Sequence, residues 1–288
     1  MQNLYDIIRS SMFFNKFEVG ELIFVEYTCP LEDESSATWS HSDYVVHVLS
    51  GKKTWRTSEG SWSVSKGQTI YVKKGAAIVN QFFDDDFCML GFFINDEFIK
   101  NIVREVSGEL DLASSTKETS FSAVEIENDI IMEAYFQSIL PYFSGKEKPS
   151  KSVLILKMKE LIINLLTNKN NLSLSSYLQS LCSIEKPAIQ QIMEANFYYN
   201  LSLEEFARLC HRSLSSFKRD FTKLYNVSPG KWLKQKRLDY SAVLLKNSDL
   251  NISQIVFESG FEDLSHFSKS FKEKFNISPQ QFRKEVTV

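Results

Sequence analysis

The 288-residue chain is short of the residues that metal and nucleophilic chemistry require. It has four histidines, His41, His47, His211 and His266, and no His-x-His pair. A cupin-type metal centre takes a close pair of His, a carboxylate and a further His, and only His41 and His47, with Glu26 or Asp43, come near that set. The four cysteines, Cys29, Cys88, Cys182 and Cys210, are scattered without a CxxC pair. That excludes a zinc ribbon and a disulfide framework, and fits reduced intracellular thiols. No Gly-rich phosphate loop, GxSxG or HExxH is present, which removes the common signatures of nucleotide, acyl-transfer and zinc-protease chemistry. The longest apolar run, "FCMLGFFI" (Phe87 to Ile94), is too short to span a bilayer. The first twenty residues lack a basic start followed by an apolar core, so no secretory signal is expected and a cytoplasmic location is.

What is there reads as globular: 43% hydrophobic, 24% charged, with 23 phenylalanines to fill cores. The length suggests two domains. The net charge of −3 hides an asymmetry, because residues 185–288 hold 16 Lys and Arg against 12 Asp and Glu. The last third is therefore the basic end of an otherwise acidic protein, and the placement of its charges matters more than their sum.

Residues 18–94 read as β structure. "ELIFVEYT", "DYVVHVLSG", "KKTWRTSEGSWSV", "QTIYVKKGAAIVN" and "FCMLGFFI" are short runs rich in β-branched and aromatic residues. Ser50-Gly51, Glu59-Gly60, Lys66-Gly67, Lys74-Gly75 and Asp84-Asp85-Asp86 punctuate them. Frequent turns predict a small barrel or jelly roll. Alternation sends Tyr44, Val46 and Val48 one way, and Asp43, Val45, His47 and Leu49 the other. Trp39, Tyr44, Trp55, Trp62 and Tyr71 could pack a core or line a ligand cavity.

Helical patterns follow. "DEFIKNIVREV" is amphipathic, and "DLASSTKETS" reads as a polar loop. "ENDIIMEAYFQSILPYF" reads as a helix that Pro141 ends or kinks. "SKSVLILKMKELIINLLTN" is apolar over most of its circumference, so it buries more than one face. It either lies deep in its own domain or offers Leu154, Met158, Leu161 and Leu165 to a second copy as a dimerisation surface. "TNKNNLSLSS" looks like a junction.

The last third contains a repeat. At an offset of 50 residues, Leu214, Ser215, Phe217, Phe221, Tyr225, Asn226, Ser228 and Pro229 meet Leu264, Ser265, Phe267, Phe271, Phe275, Asn276, Ser278 and Pro279. Upstream the offset is 49, pairing Leu203 with Ile252 and Phe206 with Ile255, so the second copy has one extra residue in its turn around Gly260-Phe261. Each copy predicts a short helix after a capping residue (Ser202, Asn251), a tight turn, and a second helix opening at Ser213 or Asp263. Rings at four-residue spacing lie on one face of that second helix, leaving hydroxyl, imidazole and ammonium groups on the other. Such a helix fits the DNA major groove. Between the copies, "GKWLKQKRLDYSAVLLKNS" predicts a helix without internal breakers. At ~1.5 Å per residue it forms a rod of about 25 Å, able to hold two groove-entering helices about one DNA turn apart.

With these residues in view, 186–288 resembles the tandem helix-turn-helix domain of AraC-type transcription regulators. The second copy, "ISQIVFESGFEDLSHFSKSFKEKFNISPQQFR", carries the resemblance at its Ile-x-x-Ile start, Gly-Phe turn, Ser-x-Phe-Ser-Lys-x-Phe-Lys helix and Ser-Pro-x-x-Phe-Arg ending. The N-terminal layout is similar to that family's cupin-like regulatory domain. "GQTIYVKKGAAIV" resembles a strand-and-turn segment of the branch that holds type III secretion activators, which are regulated by protein partners.

The resemblance implies an α+β two-domain protein. A β-rich, cupin-like jelly-roll domain with flanking helices occupies 1–110. Linker and candidate dimerisation helices occupy 111–180, and an all-α domain with two helix-turn-helix units occupies 181–288. It implies base reading by Ser215, Lys218 and Arg219 in the first copy and by Ser265, His266, Ser268 and Lys269 in the second. Arg219 is the candidate for guanine, while Lys218, Lys223, Lys269 and Lys272 suit phosphates. Double-stranded DNA, a second copy of the chain, RNA polymerase and either a small effector or a regulatory protein are the implied partners, with no cofactor and no metal. Two departures stand out. Cys210-His211 replaces an apolar residue and Gly in the first turn, and the small Ser215 and Ser216 reach less far than the large side chains usual there. The rival reading is a cupin-fold metal enzyme with a DNA-binding appendage.

Overall fold

The computed structural model describes residues 1–28, 35–57, 59–82, 86–108, 121–145, 147–183 and 188–286. Cys29, the expected polar loop 111–120 and two residues of the expected turn Asp84-Asp85-Asp86 lie outside them. The chain divides into two compact units, Gln2–Glu185 and Lys186–Val288.

In the first unit the strands are β1 (Gln2–Asn3), β2 (Asn15–Val19), β3 (Leu22–Thr28), β4 (Ser35–Ser40), β5 (Asp43–Ser50) and β6 (Lys52–Arg56). They continue as β7 (Ser61–Ser65), β8 (Thr69–Val72), β9 (Gly75–Gln81), β10 (Cys88–Ile94) and β11 (Ala123–Ile126). They build a five-stranded sheet ordered β1-β4-β9-β6-β7 and a six-stranded sheet ordered β11-β8-β5-β10-β3-β2. All pairings are antiparallel except β1 with β4. Every run read as strand is strand. β1, β2, β4 and β11 were not recognised; β11 falls between the expected polar loop and the next expected helix, and gains its place by pairing with β8.

The helices of this unit are α1 (Leu4–Ser10), α2 (Asp96–Val106), α3 (Ile130–Ser144), α4 (Lys151–Thr167) and α5 (Leu172–Ser180). Asn95, Asp129 and Ser150 cap α2, α3 and α4 with side-chain oxygens. Pro141 sits in the last turn of α3; it removes one N–H donor to the preceding turn, and the helix ends within a few residues. The expected junction at Thr167–Ser176 is instead a 3-10 turn (Lys169–Asn171) leading into α5. Among the described residues no helix is long and apolar enough to cross a membrane.

Strand alternation finds both of its destinations buried. Tyr44, Val46 and Val48 face the other sheet and pack with Trp55, Val64 and Val79. Val45, Tyr71, Leu90 and Phe92 face the opposite way and pack under α2 to α5. The six-stranded sheet is thus the middle layer of three. Trp39, Tyr44, Trp55 and Tyr71 are buried core, and Trp62 packs partly buried against it.

This layering corrects the expected dimer surface. Leu154, Met158, Leu161 and Leu165 of α4 are 4%, 0%, 0% and 0% exposed, in the same core as the sheet. Their apolar surface is consumed inside their own subunit, and the helices expected as a separate segment at 111–180 belong to the first unit. The outer face of α4 shows Ile155 and Leu156, which are 40% and 63% exposed.

The candidate metal set disperses. His47 is buried, stacks on Phe136 with ring centroids 3.9 Å apart, and bonds Thr69 Oγ1 through Nδ1 at 2.9 Å. Burial pushes its imidazole down to about 4, so the ring is neutral. His41 sits edge-on to Tyr5, and Glu26 accepts from Asn15. Asp43 is 0% exposed; its Oδ2 accepts from Tyr71 Oη (2.6 Å) and Tyr177 Oη (2.8 Å), and Oδ1 from the Lys74 amide (2.7 Å). The two phenols tie the sheet to α5 through one carboxylate.

In the second unit the helices are α6 (Ile189–Asn196), α7 (Leu203–Leu209), α8 (Leu214–Tyr225), α9 (Pro229–Asn247), α10 (Ile252–Glu258), α11 (Leu264–Phe275) and α12 (Pro279–Val286). The repeat is structural, with α7 and α8 matched by α10 and α11 at the offsets of 49 and 50. Capping boxes open α7 (Ser202 with Glu205) and α10 (Asn251 with Gln254). Ser213 and Asp263 cap α8 and α11. Asn226 and Asn276 end them in the left-handed region, at φ +54° and +65°, a conformation Asn tolerates better than most residues. The expected connector is α9, which touches α8, α10, α11 and α12.

Candidate nucleic-acid interface

The two helices α8 and α11 are built alike from the inside out. Phe217 and Phe221 are fully buried, and Phe221 stacks with Tyr225 at 4.5 Å and meets Trp232 of α9 at 5.8 Å. Phe267 and Phe271 are also fully buried; Phe271 lies 4.5 Å from Phe275 and 5.4 Å from Phe282 of α12. Trp232 and Phe282 stand 50 residues apart, so the repeat runs one helix further than the eight paired positions. Leu214 and Leu264, the first paired positions of the repeat, are half-buried and 46% exposed. Each is the first residue of its helix, ahead of the turn that meets the core.

The opposite faces carry the expected side chains. Ser215, Lys218, Arg219 and Lys223 are exposed on α8, as are Ser265, His266, Lys269 and Lys272 on α11; Ser268 is half-buried. Each helix therefore gathers hydroxyl and cationic groups on one face and its rings on the other. Ion pairs subtract some of the neighbouring charge: Lys274 pairs with Asp239 at 2.7 Å and Lys234 with Glu273 at 3.4 Å. Neither lysine belongs to the expected set.

The turns explain the departure at Cys210-His211. His211 adopts φ +52° and Gly260, 49 residues on, φ +80°. The left-handed position exists in both copies, and the first places His there at a steric cost that Gly avoids. At Gly260 there is no such latitude, because a Cβ would come within 2.6 Å of the Tyr198 carbonyl oxygen. The segment around Tyr198 is fixed from α9, since Arg237 Nε donates to Phe197 O (2.6 Å) and Nη2 to Tyr199 O (2.7 Å). Burial pulls the Arg237 guanidinium down to about 10, which leaves it charged. Asn200 Nδ2 then donates to Glu262 at 2.7 Å. The residues leading into the first copy are thus clamped by the connector and by the turn of the second.

Sequence reasoning missed the surroundings of Arg219. Its Nε donates to Asp220 Oδ1 and its Nη2 to Ser216 Oγ, both at 3.3 Å. The signal was present, because Ser216 stands three residues before Arg219 and four before Asp220 on one helix.

Comparison with known proteins joins the two units. Residues 43–177 match the ExsA N-terminal regulatory domain, and residues 206–285 match a helix-turn-helix domain. The two matches together are those of an AraC-type transcription regulator. Within that family the ExsA-type domain places it in the type III secretion activator branch, which the segment Gly67–Val79 suggested. It is similar to the virulence regulon transcriptional activator VirF of Yersinia enterocolitica, at 24% identity over 91% of this chain and 96% of that protein. It is also similar to the transcriptional regulator ExsA of Pseudomonas aeruginosa, at 25% identity over 83% and 85%. A crystal structure of apo ToxT from Vibrio cholerae is 15% identical over 92% of this chain and 97% of that one, with a TM-score of 0.43. The AraC-type chain is a DNA-binding transcription regulator and not an enzyme.

Proposed function

We propose that this regulator activates transcription from double-stranded DNA by laying α8 and α11 in two successive major grooves. The observation that carries the reading is the duplicated helix with the same cap, the same buried rings and an exposed polar face in both copies. Ser215, Lys218 and Arg219 read bases in one groove, and Ser265, His266, Ser268 and Lys269 in the next. Lys223 and Lys272, together with Lys218 and Lys269, meet phosphates. Arg219→Ala is expected to cost about 1–3 kcal/mol at a specific site and much less on random duplex. Titration of both duplexes at one salt concentration checks this; equal losses on the two would reduce Arg219 to a phosphate contact.

Control enters through the first unit, by a small ligand or a protein partner. Its buried aromatics are packed among themselves and the sheets, which favours a partner at the surface over a ligand inside. The regulator works in the cytoplasm with RNA polymerase as the enzyme it recruits, and it acts as a homodimer. The exposed pair Ile155 and Leu156 on α4 supports a dimer seam there in place of the four buried leucine and methionine positions. Leu156→Glu should halve the mass seen by light scattering while barely moving the melting temperature, because the side chain is outside the core. A dimer that survives the change puts the seam elsewhere.

A further inference from the structure

Asp220 is an odd residue for a helix that meets phosphates, since its carboxylate opposes their charge. Its contacts account for it. Arg219 Nε donates to Asp220 Oδ1 at 3.3 Å, Arg219 Nη2 donates to Ser216 Oγ at 3.3 Å, and Ser216 Oγ donates to Asp220 Oδ2 at 3.3 Å. The carboxylate is held in turn from the helix-turn-helix bend. Arg212 Nε lies 3.5 Å from Asp220 Oδ2, and Arg212 Nη1 donates to the Cys210 carbonyl at 2.7 Å. These contacts occupy one edge of the Arg219 guanidinium, Nε and one hydrogen of Nη2. The other edge keeps Nη1 and the second Nη2 hydrogen, two parallel donors. That is the fork that matches guanine O6 and N7.

We infer that Asp220 is a positioning residue that sets the plane of Arg219, so that the first recognition helix carries most of the discrimination between DNA sequences. The inference rests on the groove reading proposed above. Its independent support is where the repeat breaks. At the offset of 50, Ser216, Arg219 and Asp220 meet His266, Lys269 and Ser270, and Ser270 is 2% exposed. The caps, rings and left-handed ends are duplicated, but the clamp is not. Lys269 is a point charge on a flexible stem, suited to a phosphate; Arg219 is a planar fork whose specificity depends on being held. The small Ser215 and Ser216 fit this division. Ser216 serves as a brace and needs no reach of its own.

The test uses the full chain and two duplexes, one selected by the wild-type protein from a random pool and one of random sequence. Asp220→Ala is expected to lower the ratio of the two affinities about tenfold, while binding to the random duplex tightens because an opposing charge is gone. Combined with Arg219→Ala, it should lower the ratio no further than Arg219→Ala alone. Lys269→Ala should weaken both duplexes and lower the ratio less than Asp220→Ala does. If Arg219→Ala leaves the ratio intact, the groove reading of α8 fails. If Arg219→Ala abolishes the ratio while Asp220→Ala moves it less than about twofold, the groove reading stands and the positioning role falls. A larger loss of ratio from Lys269→Ala than from Asp220→Ala would also overturn it. Should Asp220→Ala lower the melting temperature through the lost Arg212 contact, Asp220→Asn is scored instead. It keeps the shape and drops the charge, and an unchanged ratio there counts against the inference.

Discussion

Phe271→Ala is expected to remove about 3–5 kcal/mol from the second unit. The ring is 0% exposed and touches Phe267, Phe275 and Phe282, with centroids 5.6, 4.5 and 5.4 Å away. It therefore joins α11 to the helix that follows it. Truncation leaves a cavity among three other rings, which cannot close it without leaving their rotamers. Denaturant titration should show the transition of this unit at a clearly lower midpoint, and Phe271→Leu should recover most of the loss. A Phe271→Ala chain that unfolded at the wild-type midpoint would sink the assignment of this ring to the core.

Asp43→Ala is expected to cost the first unit about 3–5 kcal/mol, the cost of breaking a buried charged network by removing one member. Two phenols and one amide would be left without an acceptor in a region closed to water, at about 1–3 kcal/mol for each unsatisfied group. Burial, and then the charge of Asp43, raise the Tyr71 and Tyr177 hydroxyls well above 10, so both remain donors at neutral pH. Because Tyr177 is on α5 and Asp43 on β5, the loss should be felt at the docking of α5. Faster amide exchange along Leu172–Ser180, with a lower unfolding midpoint, is the expected result. Wild-type exchange rates in that helix would mean that the apolar contacts of Leu174 and Leu178 hold it unaided.

The two units differ in how far local sequence fixes them. In the second, nearly every determinant lies within four residues of what it determines. Ser202 with Glu205 and Asn251 with Gln254 close capping boxes, rings at four-residue spacing choose the buried face, and Asn226 and Asn276 stop their helices. The face left over is the polar face that the proposed reading offers to DNA. In the first unit the runs rich in Val, Ile, Phe and Tyr announce strands, but their partners lie elsewhere in the chain. β11 is four residues long and exists by pairing with β8. The alternation in β5 is plain in the sequence, yet both of its sides turn out to be buried, because helices cover the side away from the other sheet.

α4 shows the same limit. Its apolar circumference established that more than one neighbour covers it, and Leu154, Met158, Leu161 and Leu165 found theirs inside the subunit. Only Ile155 and Leu156 remain outside, and nothing in the helical period distinguishes them beforehand. Arg219 was identifiable from its place in the repeat; the spacing of Ser216, Arg219 and Asp220 put them within reach of one another, but whether they join depends on rotamers and on Arg212 reaching back from the turn.

By itself, then, the sequence determined the family, the doubled helix-turn-helix unit, its inward rings and its outward charges, because caps, helical period and turn residues act over a few positions. Tertiary structure alone decided which apolar faces were already covered, where the buried carboxylate of Asp43 found its two phenols, and how the fork of Arg219 is held. Those outcomes depend on groups far apart in the chain, or on side-chain rotamers, and neither is written in local spacing.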